Sequence, residues 1–296
     1  MKTRNFAVFI LSHGRAKFVY THETLRKQGY TGKIYILCDD EDKQLNEYIN
    51  VFGKDSILIF NKQDAVDITD SGNNFKKRNS VVFARNWNFK IAEELGLTHF
   101  WQLDDDYNRF DYSLNEEMQY ITSNNKIGKL DQILSVMIDF IDTTPFHSIA
   151  FAQGGDFIGG EGCTLLTKMR KNELYRKVMN SFLFRVDRPI KFQGMMNDDV
   201  NTYVEYGHRG FLFMTLPQLR LQQTATQQNA GGLTEMYLDF GTYIKAFYTV
   251  MYAPSCVKIS QLGTTDIRIH HEVKWKYTVP KILDEIHRKP RLLEKV

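Results

Sequence analysis

Short apolar runs recur through the first part of the chain, each closed by a polar turn, and this alternation restricts the sequence to few folds. Phe6–Leu11 runs into Ser12-His13-Gly14-Arg15, and Lys33–Cys38 runs into Asp39-Asp40. Ser56–Phe60 opens a polar, Asn-rich stretch from Asn61 to Asn79, read as a loop, and the run from His99 to Leu103 ends in Asp104-Asp105-Asp106. Helical patterns lie between them, through Thr24-Leu25-Arg26-Lys27 and from Val81 to Leu95, the second stopped by Gly96. Apolar runs this short suit strands buried on both faces, and strand–helix–strand units join parallel strands. The spacing predicts an α/β domain with a Rossmann-type mixed sheet, mainly parallel and flanked by helices. Ligands of such sheets sit at the carboxyl ends of the strands. Ser12 to Arg15, Asp39-Asp40 and Asp104 to Asp106 all fall at those ends.

Three consecutive carboxylates at the end of an apolar strand repel one another unless something neutralises them. Two readings fit: the aspartates form a solvated acidic turn that caps the next segment, or they hold a hard cation. Mn2+ and Mg2+ take oxygen ligands, few of them from the protein, with diphosphate oxygens completing the shell. The second reading therefore points to a nucleotide diphosphate. Asn197-Asp198-Asp199-Val200 begins another helical stretch, which ends at Gly207. The helix dipole favours acidic residues there. Equally, one carboxylate of the pair can serve as a general base, deprotonating an acceptor hydroxyl that attacks the anomeric carbon of a sugar.

The second half is less regular, with a helix expected over Gln132–Ile141 and a strand over Ser148–Ala152. Gly154 to Gly162, which includes Glu161, is too glycine-dense for an element interior and lacks the Lys-Ser or Lys-Thr of a P-loop. There is no internal repeat and no Pro/Ser linker, so 296 residues with 43% hydrophobic content read as one domain. Within it we expect a nucleotide-binding half over 1–114, an acceptor half over 115–255 and a basic segment over 256–296, the weakest boundary lying near Asn115 to Gly128. Cys38, Cys163 and Cys256 are dispersed, form no metal spacing and leave an odd thiol, which predicts a reducing, cytoplasmic setting. No apolar run reaches the roughly 18 residues of a membrane span, and the first residues do not make a signal peptide. The formal charge is only +3, but basic residues concentrate in Lys76-Lys77-Arg78, in Lys168 to Lys171 and in the tail. Such patches neutralise phosphates or form ordinary solvated faces.

Taken together, the Ser-His-Gly-Arg turn, Asp39-Asp40, Ala84-Arg85-Asn86 on a helix, Leu103-Asp104-Asp105-Asp106 and Asn197-Asp198-Asp199-Val200 resemble a GT-A glycosyltransferase. Within that fold the chain is similar to the TET-associated glycosyltransferases of bacteriophages, which add sugars to hydroxymethylated pyrimidines in DNA. The resemblance runs from Phe6 to about Pro254 and implies roles for individual residues. Asp104 would contact the donor nucleoside and share the metal with Asp106, with Asp105 close by. Ser12 and Arg15 would lie beside the nucleotide, Asp39 would face uracil or ribose, and Arg85 would lie near the diphosphate or the donor sugar. Asp199 stands where inverting enzymes carry the second acid of a Glu-Asp pair. Here the pair reads Asp198-Asp199, so both are candidates for the base. The first loop departs from the usual proline and Asn-Arg pattern. His270 of His270-His271 would complete the metal shell, or the two form a surface pair.

On the acceptor side the candidates are Glu161, Gln227 in the amide-rich stretch from Gln222 to Gly232, and Trp275 beside Lys274, with Tyr277 near by. Phe182 and Phe184, interleaved with Arg185 and Arg188, either stack on an extruded base or form the core face of a strand. The resemblance implies a UDP-sugar donor, Mn2+ or Mg2+ as cofactor, inversion, and 5-hydroxymethylcytosine or its glycosylated form in double-stranded phage DNA as acceptor, in the host cytoplasm. Other readings are a GT-A enzyme acting on a glycan or lipid-linked acceptor, a nucleotidyltransferase, and a non-enzymatic DNA-binding phage protein.

Overall fold

A computed structural model describes residues 4–72, 78–153, 160–164, 180–223, 243–262 and 268–278. The first part alternates as β1 (Phe6–Leu11), α1 (Tyr20–Lys27), β2 (Lys33–Asp39), α2 (Leu45–Phe52), β3 (Ile57–Phe60), α3 (Lys62–Asp67), α4 (Val82–Glu94) and β4 (His99–Asp104). It continues with β5 (Tyr107–Tyr112), α5 (Leu130–Thr143), β6 (Phe146–Ala152), β7 (Ser181–Arg185), α6 (Asp198–His208) and β8 (Leu212–Gln223). The last described elements are α7 (Ile244–Tyr252), β9 (Val257–Leu262), β10 (Arg268–Val273) and the single turn α8 (Trp275–Thr278). Among the described residues no helix is long and apolar enough to cross a membrane.

Eight strands form one sheet in the order β3-β2-β1-β4-β7-β6-β8-β5, and β9 pairs with β10 in a separate hairpin sheet. β3, β2, β1, β4, β6 and β8 share one direction, whereas β7 is antiparallel between β4 and β6 and β5 is antiparallel to β8 at the edge. The expected mainly parallel mixed sheet flanked by helices is therefore present. Register sets the site: Leu11 pairs with Leu37 on one side and with Asp104 on the other, so the turns after β1, β2 and β4 leave the sheet at one level.

Successive side chains along each strand alternate between two apolar layers. Phe9 and Phe100 join Phe89, Phe182, Phe184 and Phe192 on the face covered by α4 and α6. Val8, Ile10, Trp101 and Leu103 join Leu134, Met137 and Phe151 on the face covered by α1 and α5. Aromatic pairs dominate the first layer: Phe9 stacks on Phe100 at 5.2 Å, and Phe100 lies 5.5 Å from Phe184. Each such pair contributes about 0.5–1.5 kcal/mol beyond its buried area. Phe182 and Phe184 are thus the core face of a strand. Arg185 is paired with Asp187 and Asp142, and Arg188 donates to the carbonyls of Thr144 and Phe146, so these cations brace the fold.

One expectation is corrected and one pair of strands was not anticipated. The stretch after β3 is not all loop, because Asn61 caps α3 by accepting from Asp64 N, while Asp40 accepts from Asn61 Nδ2 and Lys62 N. The long edge pair β5–β8 escaped a hydrophobicity reading because its cross-strand partners Asp111 and Arg220 are charged and fully buried. Arg220 donates to Tyr120 Oη at 2.8 Å and to Asp111, which also pairs with Arg109. Sequence alone places such residues on a surface.

Candidate active site

The Asp triplet is gripped from the α1 side by one threonine. Thr21 Oγ1 donates to Asp104 O at 2.7 Å and accepts from Tyr107 N at 2.9 Å, while Thr21 N donates to Asp105 O at 3.1 Å. The three carboxylates then take different surroundings. Asp105 turns inward, accepting from Ser12 Oγ at 2.6 Å and from Arg15 Nη1 at 3.1 Å. Ser12 also bonds Tyr48 Oη, which accepts from Arg15 N. Burial raises the Asp105 pKa, and Arg15 and Ser12 oppose that rise. Ser12, Arg15 and Asp105, expected beside the donor, are therefore brought together, but Ser12 and Asp105 are spent on locking the first loop to the triplet.

Asp104 and Asp106 remain at the rim. The Asp104 side chain keeps 24% of its surface exposed, and its carboxylate accepts from Arg85 Nη2 at 3.1 Å and from Asn180 Nδ2 at 3.0 Å. Asp106 is half-buried, and burial together with the charges of Asp104 and Asp105 pushes its pKa up to about 7. A hard cation at this turn would relieve that repulsion. Among the described residues no group of three or more His, Cys, Asp or Glu is placed to hold a metal unaided. Asp104 and Asp106 offer carboxylate oxygens, the ligand type of Mn2+ and Mg2+, which are commonly bound by one or two carboxylates with substrate phosphates completing the shell.

Arg85 joins the triplet to the second acidic pair. It projects from α4 with 1% exposure, its Nη1 lying 2.9 Å from Asp198 Oδ2 while Nη2 holds Asp104. Phe182 and Phe192 lie 6.0 and 5.6 Å from the guanidinium carbon. Asn86, the next residue, fixes Phe192 by donating to its carbonyl and accepting from its N–H. Burial works against the Arg85 charge, but Asp198 and Asp104 outweigh it and hold its pKa above the usual value. Burial likewise raises the Asp198 pKa, with Arg85 opposing. Arg85 Nε and Nη1 and Asp198 Oδ2 have no hydrogen-bond partner among the described residues, so the close ion pair is not in hydrogen-bond alignment. Arg85, expected near the diphosphate or the donor sugar, is a buried strut between Asp104 of the triplet and Asp198. Asp199, one residue on, is more exposed than Asp198.

The start of α6 is held from the other side. Asn197 adopts the left-handed conformation, φ 53°, which asparagine tolerates better than most residues. Its Nδ2 donates to Lys245 O at 2.8 Å and Thr249 Oγ1 at 3.1 Å on α7, and lies 3.1 Å from His271 Nδ1 on β10. His270 stacks on His271 with ring centroids 4.3 Å apart. The histidine pair is thus brought to the helix that carries Asp198 and Asp199.

Asp39 is buried, with Oδ2 accepting from Lys62 Nζ at 2.9 Å and lying 2.8 Å from His13 Nδ1. Burial would raise its pKa, but His13 and Lys62 pull it down to about 2. The acceptor candidates scatter. Glu161 is exposed and accepts from Thr122 Oγ1 at 2.8 Å. Trp275 lies flat on Tyr203, 5.9 Å between centroids, so one ring face is taken by α6. Lys274 and Tyr277 are exposed. Gln227 lies outside the described residues. Thr21, Asn180 and Lys62 also contact the expected site residues and escaped sequence reasoning, since each reaches Asp104 or Asp39 from a separate element through contacts no local motif records.

Crystal structures of glucosyl-3-phosphoglycerate synthase from Mycobacterium tuberculosis are among the solved structures that superpose on this chain. One, in complex with Mn2+, UDP and phosphoglyceric acid, is 9% identical, covers 92% of this chain and 87% of that chain, and gives a TM-score of 0.47. Another, with Mg2+ and UDP, is 8% identical over 92% and 88% of the two chains, with a TM-score of 0.48. At so distant a likeness, their ligands are theirs alone. No curated protein matches the sequence. The family model for TET-associated glycosyltransferases, however, matches residues 6–232, from β1 through the Asp triplet and α6 past the end of β8. The chain belongs to that family and is a glycosyltransferase.

Proposed function

We propose that this glycosyltransferase moves a sugar from a UDP-sugar to the hydroxyl of 5-hydroxymethylcytosine, bare or already glycosylated, in double-stranded phage DNA, with inversion at the anomeric carbon. The observation that carries the reading is the Arg85 bridge, which draws Asp104 and Asp198 into one site. A leaving nucleotide diphosphate needs charge stabilisation on one side of the sugar and a base on the other. The triplet and the Asp198-Asp199 pair are suited to those two tasks.

Asp104 and Asp106 would hold Mn2+ or Mg2+, which when bound offsets negative charge developing on the departing diphosphate. Asp199 takes the proton from the acceptor hydroxyl as that oxygen bonds to the anomeric carbon. The bond from that carbon to the diphosphate oxygen breaks, and its electron pair leaves with UDP. Asp198, tied to Arg85, sets the position of its neighbour. The acceptor assignment draws on the family resemblance and on exposed Lys274, Lys276 and Tyr277, cations beside an aromatic ring. A base within duplex must be swung out of the stack before its hydroxymethyl group is reached. The host cytoplasm would be the setting.

The test is incubation with a panel of UDP-sugars, Mn2+ and duplex DNA containing 5-hydroxymethylcytosine, followed by digestion to nucleosides and mass spectrometry. The expected result is a gain of one sugar mass that is absent on unmodified cytosine DNA and lost in Asp106→Asn. Release of UDP with no modified nucleoside would move the acceptor to a glycan or lipid-linked sugar.

A further inference from the structure

We propose that His13 reads the nucleobase edge of the donor, taking the part that the family resemblance assigns to the Asp39 carboxylate. The inference rests on the nucleotide-sugar reading of the site. It begins from the seam between the loop after β1 and the loop after β2, which carries two buried carboxylates and one half-exposed imidazole.

Both carboxylates are buried and engaged by the protein. Asp39 Oδ2 serves Lys62 and His13, and Oδ1 accepts from Glu41 N at 3.2 Å. Lys62 is itself buried, so turning Asp39 outward would strand an ammonium group in the interior. Asp42 Oδ2 accepts from Gly14 N at 2.7 Å and Oδ1 from Gln44 N at 2.8 Å. Both acids hold the seam closed.

His13 differs in each respect. Its side chain is 53% exposed, and among the described residues only Nδ1 is engaged, by Asp39 at 2.8 Å. A carboxylate at Nδ1 keeps the proton on that nitrogen, which leaves Nε2 as the ring's second polar atom. Nε2 accepts a hydrogen bond when the ring is neutral and donates one when it is charged. Uracil carries an imide N–H flanked by two carbonyls, so it answers either state. The hydrogen bond to Asp39, aided by the charges of Asp39 and Asp42 and opposed by burial and Lys62, holds the His13 pKa above its usual value and favours the donating form. Position agrees with chemistry: Ser12, the preceding residue, bonds Asp105 in the middle of the Asp triplet, so a base beside His13 and a diphosphate beside Asp106 belong to one nucleotide.

The experiment is isothermal titration of the full chain in Mg2+ with two probes, UDP and inorganic pyrophosphate. His13→Ala is expected to weaken UDP about tenfold, the loss of one hydrogen bond to a charged group, and to leave pyrophosphate unchanged. His13→Gln, whose amide nitrogen reaches toward the place of Nε2, is expected to recover part of the loss. Equal losses for both probes would mean that His13 only braces the loop, and unchanged UDP affinity would mean that it does not face the base. Either overturns the inference while the nucleotide site stands. A wild-type chain that binds neither probe would overturn the nucleotide-sugar reading and this inference with it.

Discussion

Arg85 and Asp198 face each other at 2.9 Å in the interior, one on the helix that leads into the Asp triplet and the other at the head of the helix that carries Asp199. Losing one member of a buried pair leaves the other charge uncompensated, which typically costs about 3–5 kcal/mol. Arg85→Met is therefore expected to lower unfolding stability by roughly that amount. Arg85→Lys keeps the charge but cannot span Asp104 and Asp198 at once, since an ammonium lacks the fork of a guanidinium. It should remain folded and lose turnover more than donor affinity. Urea denaturation beside steady-state kinetics checks both, and an Arg85→Met protein of wild-type stability would remove the strut.

The two acids at the head of α6 should separate by phenotype. Asp199→Asn is expected to reduce kcat by about 10²–10⁴, the usual contribution of a general base, with little change in Tm. Asp198→Asn should destabilise the fold, because Arg85 then keeps only Asp104. Thermal melts and kcat measured on both variants decide the assignment, and a reversed pattern would transfer the base to Asp198.

Asp106 has a pKa of about 7 in the folded chain against an ordinary 3.8. Between those values the native state binds more protons than the unfolded one, so without metal this group lowers stability as pH rises from about 4 to 7. Asp106→Asn is expected to raise the metal-free Tm by a few degrees at pH 8, to have no such effect near pH 4, and to abolish transfer. Mn2+ should raise the Tm of the wild type at pH 8 and not that of the variant. Differential scanning calorimetry at the two pH values tests the pattern.

Asp39 runs the opposite way. Its folded pKa of about 2 lies below 3.8, so its contribution is complete above the unfolded value and is lost as pH falls toward 2. Asp39→Asn should abolish that acid step. It should also cost about 3–5 kcal/mol at neutral pH, where Lys62 loses its buried partner. Denaturation midpoints followed from pH 5 to pH 2 would show whether the step disappears.

Gly207 supports α8 through its missing side chain. A Cβ there would press into Thr278 O, well inside van der Waals contact, and neither backbone can give way cheaply. Gly207→Ala is expected to displace α8, unstack Trp275 from Tyr203 and cost about 1–3 kcal/mol. If Lys274 and Tyr277 meet DNA, its affinity for duplex falls while UDP affinity holds. Tryptophan emission and binding titrations with each ligand distinguish the two effects.

β1, β2 and β4 were legible because each is an apolar run with a polar stop, and parallel register then brings their ends together without further information. The same logic exposed the Asp triplet and the acidic head of α6. It could not show that Asp198 and Asp104 share Arg85, since the three residues lie on separate elements and meet only through packing. Nor could it show that Asp39, at the end of β2, is paired with Lys62 from the next crossover. Asp111 and Arg220 concealed two strands by burying charges where an alternation of apolar residues would have announced them.

Asn197 is anchored by α7 and β10, both of which lie beyond residues 6–232, the stretch that the family model matches. The head of α6, with Asp198 and Asp199, is thus fixed by elements that follow the matched stretch. A change confined to α7 or β10 is therefore expected to tilt the head of α6, and with it Asp198 and Asp199, while the Thr21 grip on the Asp triplet stays as it is.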